Sequence, residues 1–137
     1  MKLRVLLLED DLLVRDMLRT TLQRQGYEVE AYSTPARCPV YLNFMCRCEL
    51  RAPCADVILT DVDMPKVKGL QFVARLKERG CACAHIAAMS ANWSDNDLEK
   101  AAGLGCTIFA KPFDMAQVKA WLRDVERAVA ETRRAGG

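Results

Sequence analysis

Five short runs of apolar and β-branched residues punctuate this chain: Lys2 to Leu8, Tyr27 to Ala31, Val57 to Thr60, His85 to Met89 and Cys106 to Ala110. The run Val57 to Thr60 is continuous, meets Asp61 and is barred from extending by Pro65, the signature of a strand buried on both faces. Tyr27-Glu28-Val29-Glu30-Ala31 instead alternates, as a half-exposed edge strand does. Between the runs, apolar residues recur at helical spacing. Leu12 to Gln25 carries Val14, Met17, Leu18 and Leu22; Gly69 to Arg79 carries Leu70, Val73 and Leu76. A short helix opens at Ser94 and ends near Gly103, and a last one opens at Asp114 with Val118, Leu122, Val125 and Val129 as its stripe. Asp10 or Asp11 can cap the first helix and Gly26 can close it. Ser33 to Cys54 is the least regular stretch, with Pro35, Pro39 and Pro53; Pro39 can open a helix reaching about Leu50.

Five strands alternating with five helices predict a doubly wound parallel sheet. The chain is expected to form a single domain over residues 1–131, with 132–137 as a flexible tail. Its 137 residues, 51% hydrophobic and 28% charged, are enough for a core that needs no staples. A net charge of +2, with no interleaving of basic and aromatic residues, carries no footprint for nucleic acid. The start imitates a signal peptide, but its apolar run ends at Glu9-Asp10-Asp11, too short for membrane insertion. A cytoplasmic location is expected.

In an open parallel sheet, ligands gather outside the carboxyl ends of the strands. Four of the predicted strands end there in polar groups: Glu9 and Asp10, Asp61, Ser90, and Lys111. Asp61 at such an edge is either a cap or a reactive group, and its neighbours decide which. Three carboxylates aimed at one point repel unless a cation sits between them, and oxygen ligands of this kind suit Mg²⁺. A lysine and a hydroxyl opposite complete a cradle for a phosphoryl group. The chemistry this favours is attack of the Asp61 carboxylate on phosphorus, giving an acyl phosphate.

The set Glu9-Asp10, Asp61 with Met64-Pro65 and Gly69, Ser90-Ala91, and Lys111-Pro112-Phe113 resembles the receiver domain of bacterial two-component response regulators, in particular the stand-alone chemotaxis type. The resemblance implies a flavodoxin-like fold with strand order 2-1-3-4-5. It implies Asp61 as phosphoacceptor, Asp10 as a direct Mg²⁺ ligand, Glu9 as a ligand through water and the main-chain carbonyl of Asp63 as a further ligand. Ser90 becomes the switch hydroxyl and Lys111 the phosphate-binding lysine, oriented by a cis bond to Pro112. The implied partners are a histidine kinase or histidine phosphotransfer protein as donor and a downstream protein target. Such a domain is a switch that promotes its own phosphorylation and dephosphorylation, not an enzyme with free turnover. One position departs from the pattern: Ile108 stands where the family usually has a Tyr or Phe that swings inward on activation.

Two other readings fit parts of the same residue set. A pseudo-receiver would bind partners without phosphorylation, but the intact acid–Asp–Ser–Lys set argues against it. Asp61-Val62-Asp63 also resembles the first motif of haloacid-dehalogenase-type phosphatases, yet their late acidic pair and first-strand placement are missing. His85, the only histidine, precedes an apolar strand and reads as structural. Among seven cysteines, Cys48, Cys54, Cys81 and Cys83 form a candidate thiol site, although no CxxC pair is present. The residues Val40 to Met45, within the segment 39–50, are apolar nearly all round a helix and either enlarge the core or meet a partner.

Overall fold

The computed structural model describes residues 2–34, 55–64 and 67–136. Its elements, in order, are β1 (Arg4–Leu8), α1 (Leu12–Arg24), β2 (Glu28–Tyr32), β3 (Val57–Asp61), α2 (Gly69–Glu78), β4 (His85–Ser90), α3 (Asp95–Gly103), β5 (Thr107–Ala110) and α4 (Met115–Gly136). The strands form one parallel sheet in the order β2-β1-β3-β4-β5, the order the resemblance implied. Four helices lie among the described residues; the helix expected from Pro39 to about Leu50 falls outside them.

Strand alternation sorts the core into two layers. Val5, Leu7, Val57, Leu59, Ala87, Met89 and Phe109 face Leu18 and Leu22 of α1 and the stripe Val118, Leu122, Val125 and Val129 of α4. Leu6, Leu8, Ile58 and Ile86 face the other way, against Phe72, Val73 and Leu76 of α2. Val62, Leu70, Ala88 and Ala101 pack beside them under α3. β3 is buried along its whole length, whereas the outer strands β2 and β5 are partly exposed. Side chains of one strand therefore serve two layers, as period-two geometry requires.

The predicted ends hold. Asp11, not Asp10, caps α1, accepting from the N–H groups of Leu13 and Val14. Gly26 takes φ of +94° just past that helix, where a side chain would be strained. Ser94 caps α3 through the Asp97 N–H, and the Asp114 carboxylate accepts from the Ala116 N–H at the start of α4. The far end differs from expectation. Residues 132–136 continue α4 and do not form a loose tail, and Arg133 Nη2 donates to the buried carboxylate of Asp56 at 2.9 Å. Asp56 also accepts from the Arg4 N–H at 2.9 Å, so this amino-terminal edge of the sheet holds the last helix by ionic contacts that periodicity does not reveal.

Candidate functional site

Each group of the site is delivered by a strand end. β1 runs into Glu9, which is fully buried, and Asp10, which is exposed. β3 ends on Asp61 and β4 on Ser90, both buried, and β5 runs into Lys111. Because β1, β3, β4 and β5 are successive neighbours in parallel register, these ends meet along one rim. Ligand oxygens of Glu9, Asp10 and Asp61 lie within 4.8 Å of one another.

The backbone around Asp61 is held by small residues. A Cβ on Gly69 would stand 1.9 Å from the Asp61 carbonyl oxygen, so the first residue of α2 must be glycine for the helix to pass so close. The Gly69 N–H donates to the Val62 carbonyl at 3.1 Å, and Thr60 Oγ1 donates to the Asp61 carbonyl at 3.0 Å. The Asp63 N–H donates to Asp61 Oδ1 at 3.3 Å. The Asp63 carboxylate accepts from Ser90 Oγ at 3.3 Å and pairs with Lys68 at 3.7 Å.

Charge at this rim is out of balance. Lys111 Nζ lies 2.7 Å from Glu9 Oε2, 3.0 Å from Glu9 Oε1 and 3.3 Å from Asp61 Oδ2. Burial works against the ammonium form of Lys111, but Glu9 and Asp61 outweigh it and its pKa rises. The ring of Phe113, 5.9 Å from Nζ, adds a cation–π contact that sequence reading missed. Burial pushes Asp61 up to about 7; a hydrogen bond with Asp10 and the charge of Glu9 add to this, while Lys111 and the Asp63 N–H oppose it. One ammonium thus faces three carboxylates. An all-oxygen donor set short of positive charge fits a hard divalent cation.

Ser90 and Lys111 are joined through the main chain as well, the Lys111 N–H donating to the Ser90 carbonyl at 2.9 Å. The Asn92 N–H donates to Ser90 Oγ at 3.0 Å. The Lys111–Pro112 peptide is cis. Ile108 is 39% exposed, while Phe109 turns to the opposite layer and meets Trp121 edge-on, ring centroids 5.7 Å apart. Position 108 therefore offers no ring to swing inward.

The other sequence candidates lie away from this rim. His85 is half-buried at the start of β4, and burial lowers its pKa. Cys83 is buried and Cys81 half-buried in the layer beneath α2; Cys48 and Cys54 fall outside the described residues. Among the described residues, Glu9, Asp10 and Asp61 form the one group of three or more metal-ligating side chains that converges. No helix among them is long and apolar enough to cross a membrane.

Comparison with known proteins agrees with this geometry. The family model described as the response regulator receiver domain matches residues 5–123. A probable transcriptional regulatory protein of Picosynechococcus is 30% identical over 129 residues, covering 92% of this chain and 50% of its own length. The alkaline phosphatase synthesis transcriptional regulatory protein SphR of Synechococcus elongatus is 28% identical, covering 94% of this chain and 52% of its own. The chain thus spans about half the length of the curated relatives it matches. The chemotaxis protein CheY4 of Vibrio cholerae superposes with a TM-score of 0.73 at 26% identity, covering 91% of this chain and 99% of its own.

Proposed function

The chain belongs to the response regulator receiver domain family, and from that membership we propose that Asp61 is its phosphoacceptor, charged by a phosphohistidine donor in a Mg²⁺-dependent reaction. The observation that carries the reading is the position of Lys111. Its ammonium stands 3.3 Å from the Asp61 carboxylate, on the rim where Ser90 and two further carboxylates also arrive.

In the transfer, an Asp61 carboxylate oxygen forms a bond to phosphorus as the bond from phosphorus to the donor imidazole nitrogen breaks. The imidazole nitrogen leaves with the electron pair. Lys111 and the Ser90 hydroxyl supply positive charge and a hydrogen bond to the phosphoryl oxygens, the kind of preorganised stabilisation on which phosphoryl transfer depends. Glu9, Asp10, Asp61 and the main-chain carbonyl of Asp63 would hold Mg²⁺, which supplies the charge neutralisation that three carboxylates and a phosphoryl group require. Loss of the phosphoryl group is a second displacement: a water oxygen forms a bond to phosphorus as the bond to Asp61 breaks, the carboxylate returns, and inorganic phosphate leaves with the water's proton released to solvent.

The donor is a histidine kinase or a histidine phosphotransfer protein. Leu12, Leu13 and Met17 stand exposed on the first turns of α1, directly after the acidic pair, and give the donor an apolar surface beside the reacting carboxylate. The downstream target is a protein that distinguishes the phosphorylated form. Phosphorylation is favoured over a purely constitutive binding module because Lys111 reaches both Glu9 and Asp61, and Ser90 ends the neighbouring strand on the same rim.

Intact-protein mass spectrometry after acetyl phosphate and Mg²⁺ tests the reading. One phosphoryl group should be gained, and none in the Asp61→Asn protein or in the presence of a chelator. Stoichiometric labelling of Asp61→Asn would overturn it.

A further inference from the structure

Between Ser90 and the Ser94 cap of α3 lies a short loop, and its Trp93 reaches across to β5: the indole Nε1–H donates to the Phe109 carbonyl at 3.0 Å. We propose that Trp93 is a positioning residue that couples Ser90 to β5, its indole hydrogen bond carrying movement of the loop into the strand that bears Ile108 and leads to Lys111. The proposal rests on phosphorylation of Asp61 and adds to it the route by which the event leaves the site.

The connections form a continuous path. Ser90 Oγ is engaged with the Asp63 carboxylate at 3.3 Å and accepts from the Asn92 N–H at 3.0 Å. A phosphoryl group on Asp61 would offer that hydroxyl a more highly charged acceptor, and charge-assisted bonds are the stronger ones. When Ser90 turns toward it, Asn92 is drawn along, and Trp93 is the next residue. The indole is not a loose side chain, since it packs against the cluster of Val62, Leu70, Ala88 and Ala101. Its grip on the Phe109 carbonyl then passes the displacement to β5. Phe109 is itself wedged against Trp121 of α4 at 5.7 Å, so movement of β5 is felt on both layers.

The usual alternative within this chain is closed. A ring at position 108 could have moved between inward and outward poses, but Ile108 has no ring and stands 39% exposed. Trp93 supplies a ring from the opposite partner of the same junction, the loop and not the strand. Linkage makes the effect reciprocal: a protein bound over β5 would, through Trp93, favour the Ser90 position that suits a phosphoryl group.

The test uses the full chain and beryllofluoride with Mg²⁺ as the phosphoryl stand-in. Labelling by acetyl phosphate is measured first, because it reads the Asp61 assignment alone. The Trp93→Phe protein, which keeps an apolar ring without the N–H, should take up the same label. Its beryllofluoride-induced amide shift changes at residues 107–110 should fall to about half or less, because the loop then has no hydrogen bond by which to carry its movement into β5. If Trp93→Phe does not fold, benzothienylalanine at position 93 replaces N–H by sulfur in nearly the same shape and should show the same loss. Undiminished shifts at 107–110 in a labelled, folded variant would overturn the Trp93 route while leaving Asp61 as acceptor. No labelling of the unsubstituted protein would remove the acceptor, and the coupling with it.

Discussion

Lys111 stands closer to Glu9 than to Asp61, at 2.7 Å against 3.3 Å. This lysine therefore neutralises the most deeply buried carboxylate of the site, and Asp61 only in part. Replacing Lys111 by Met should leave Glu9 buried without its counter-charge and destabilise the fold by about 3 kcal/mol. Mg²⁺ should recover much of that loss, since it supplies the missing positive charge. Thermal unfolding with chelator and with Mg²⁺ measures both; equal destabilisation in the two conditions would show that Lys111 acts on the fold independently of the carboxylates.

Asp61 gives a pH prediction of unusual sign. Its pKa rises from 3.8 to about 7 on folding, so between these values the folded state holds a proton that the unfolded state has released. Stability contributed by that proton is present below pH 4 and is lost as pH rises toward about 7. Asp61→Asn removes the titration and should be more stable than the unsubstituted, metal-free protein above neutrality, by on the order of 2 kcal/mol. Urea unfolding with chelator at pH 5 and pH 8 is the check, and a gap that narrows toward pH 8 would contradict the prediction.

Gly69→Ala tests the close passage of α2 over Asp61. A methyl placed 1.9 Å from the Asp61 carbonyl oxygen forces helix and strand apart. A loss of about 2–3 kcal/mol is expected, together with slower labelling of Asp61, because the carboxylate moves relative to Lys111. A protein of unchanged stability that labels at the normal rate would mean the junction relaxes freely.

At the other edge of the sheet, Arg133→Met removes a hydrogen bond to Asp56, whose side chain is 1% exposed. The loss should be about 1–2 kcal/mol, concentrated in faster amide exchange after Val129. Labelling of Asp61 should be unaffected, since this contact lies at the opposite ends of the strands. Slower labelling would show that the two edges communicate.

How much of this was legible beforehand follows from the range of each interaction. The strand runs, the stripe of α4 and the caps at Ser94 and Asp114 are local signals, and they appear where the periodicity put them. The convergence of Glu9, Asp10, Asp61 and Lys111 was legible because a parallel sheet brings all carboxyl ends to one rim, so chain order is enough to assemble them. What could not be read joins residues distant in sequence without a periodic cue: Arg133 on Asp56 and the Trp93 indole on the Phe109 carbonyl. The choice of Asp11 over Asp10 as cap was open for a different reason, since adjacent carboxylates are chemically equal until the backbone turns. The extension of α4 past residue 132 belongs with these distant contacts, its anchor being a buried charge far away in the chain.

β3 is buried at every position from Val57 to Asp61. Apart from Asp61 at its end, this strand offers a partner no surface, and binding surfaces lie at the margins of the sheet. Chemistry and recognition are thereby assigned to different residues. The rim groups can stay fixed while exposed positions such as Leu98, Ile108 and Leu13 vary. Many such switches can then share one reaction within a cell and still answer to separate partners, each told apart by its surface alone.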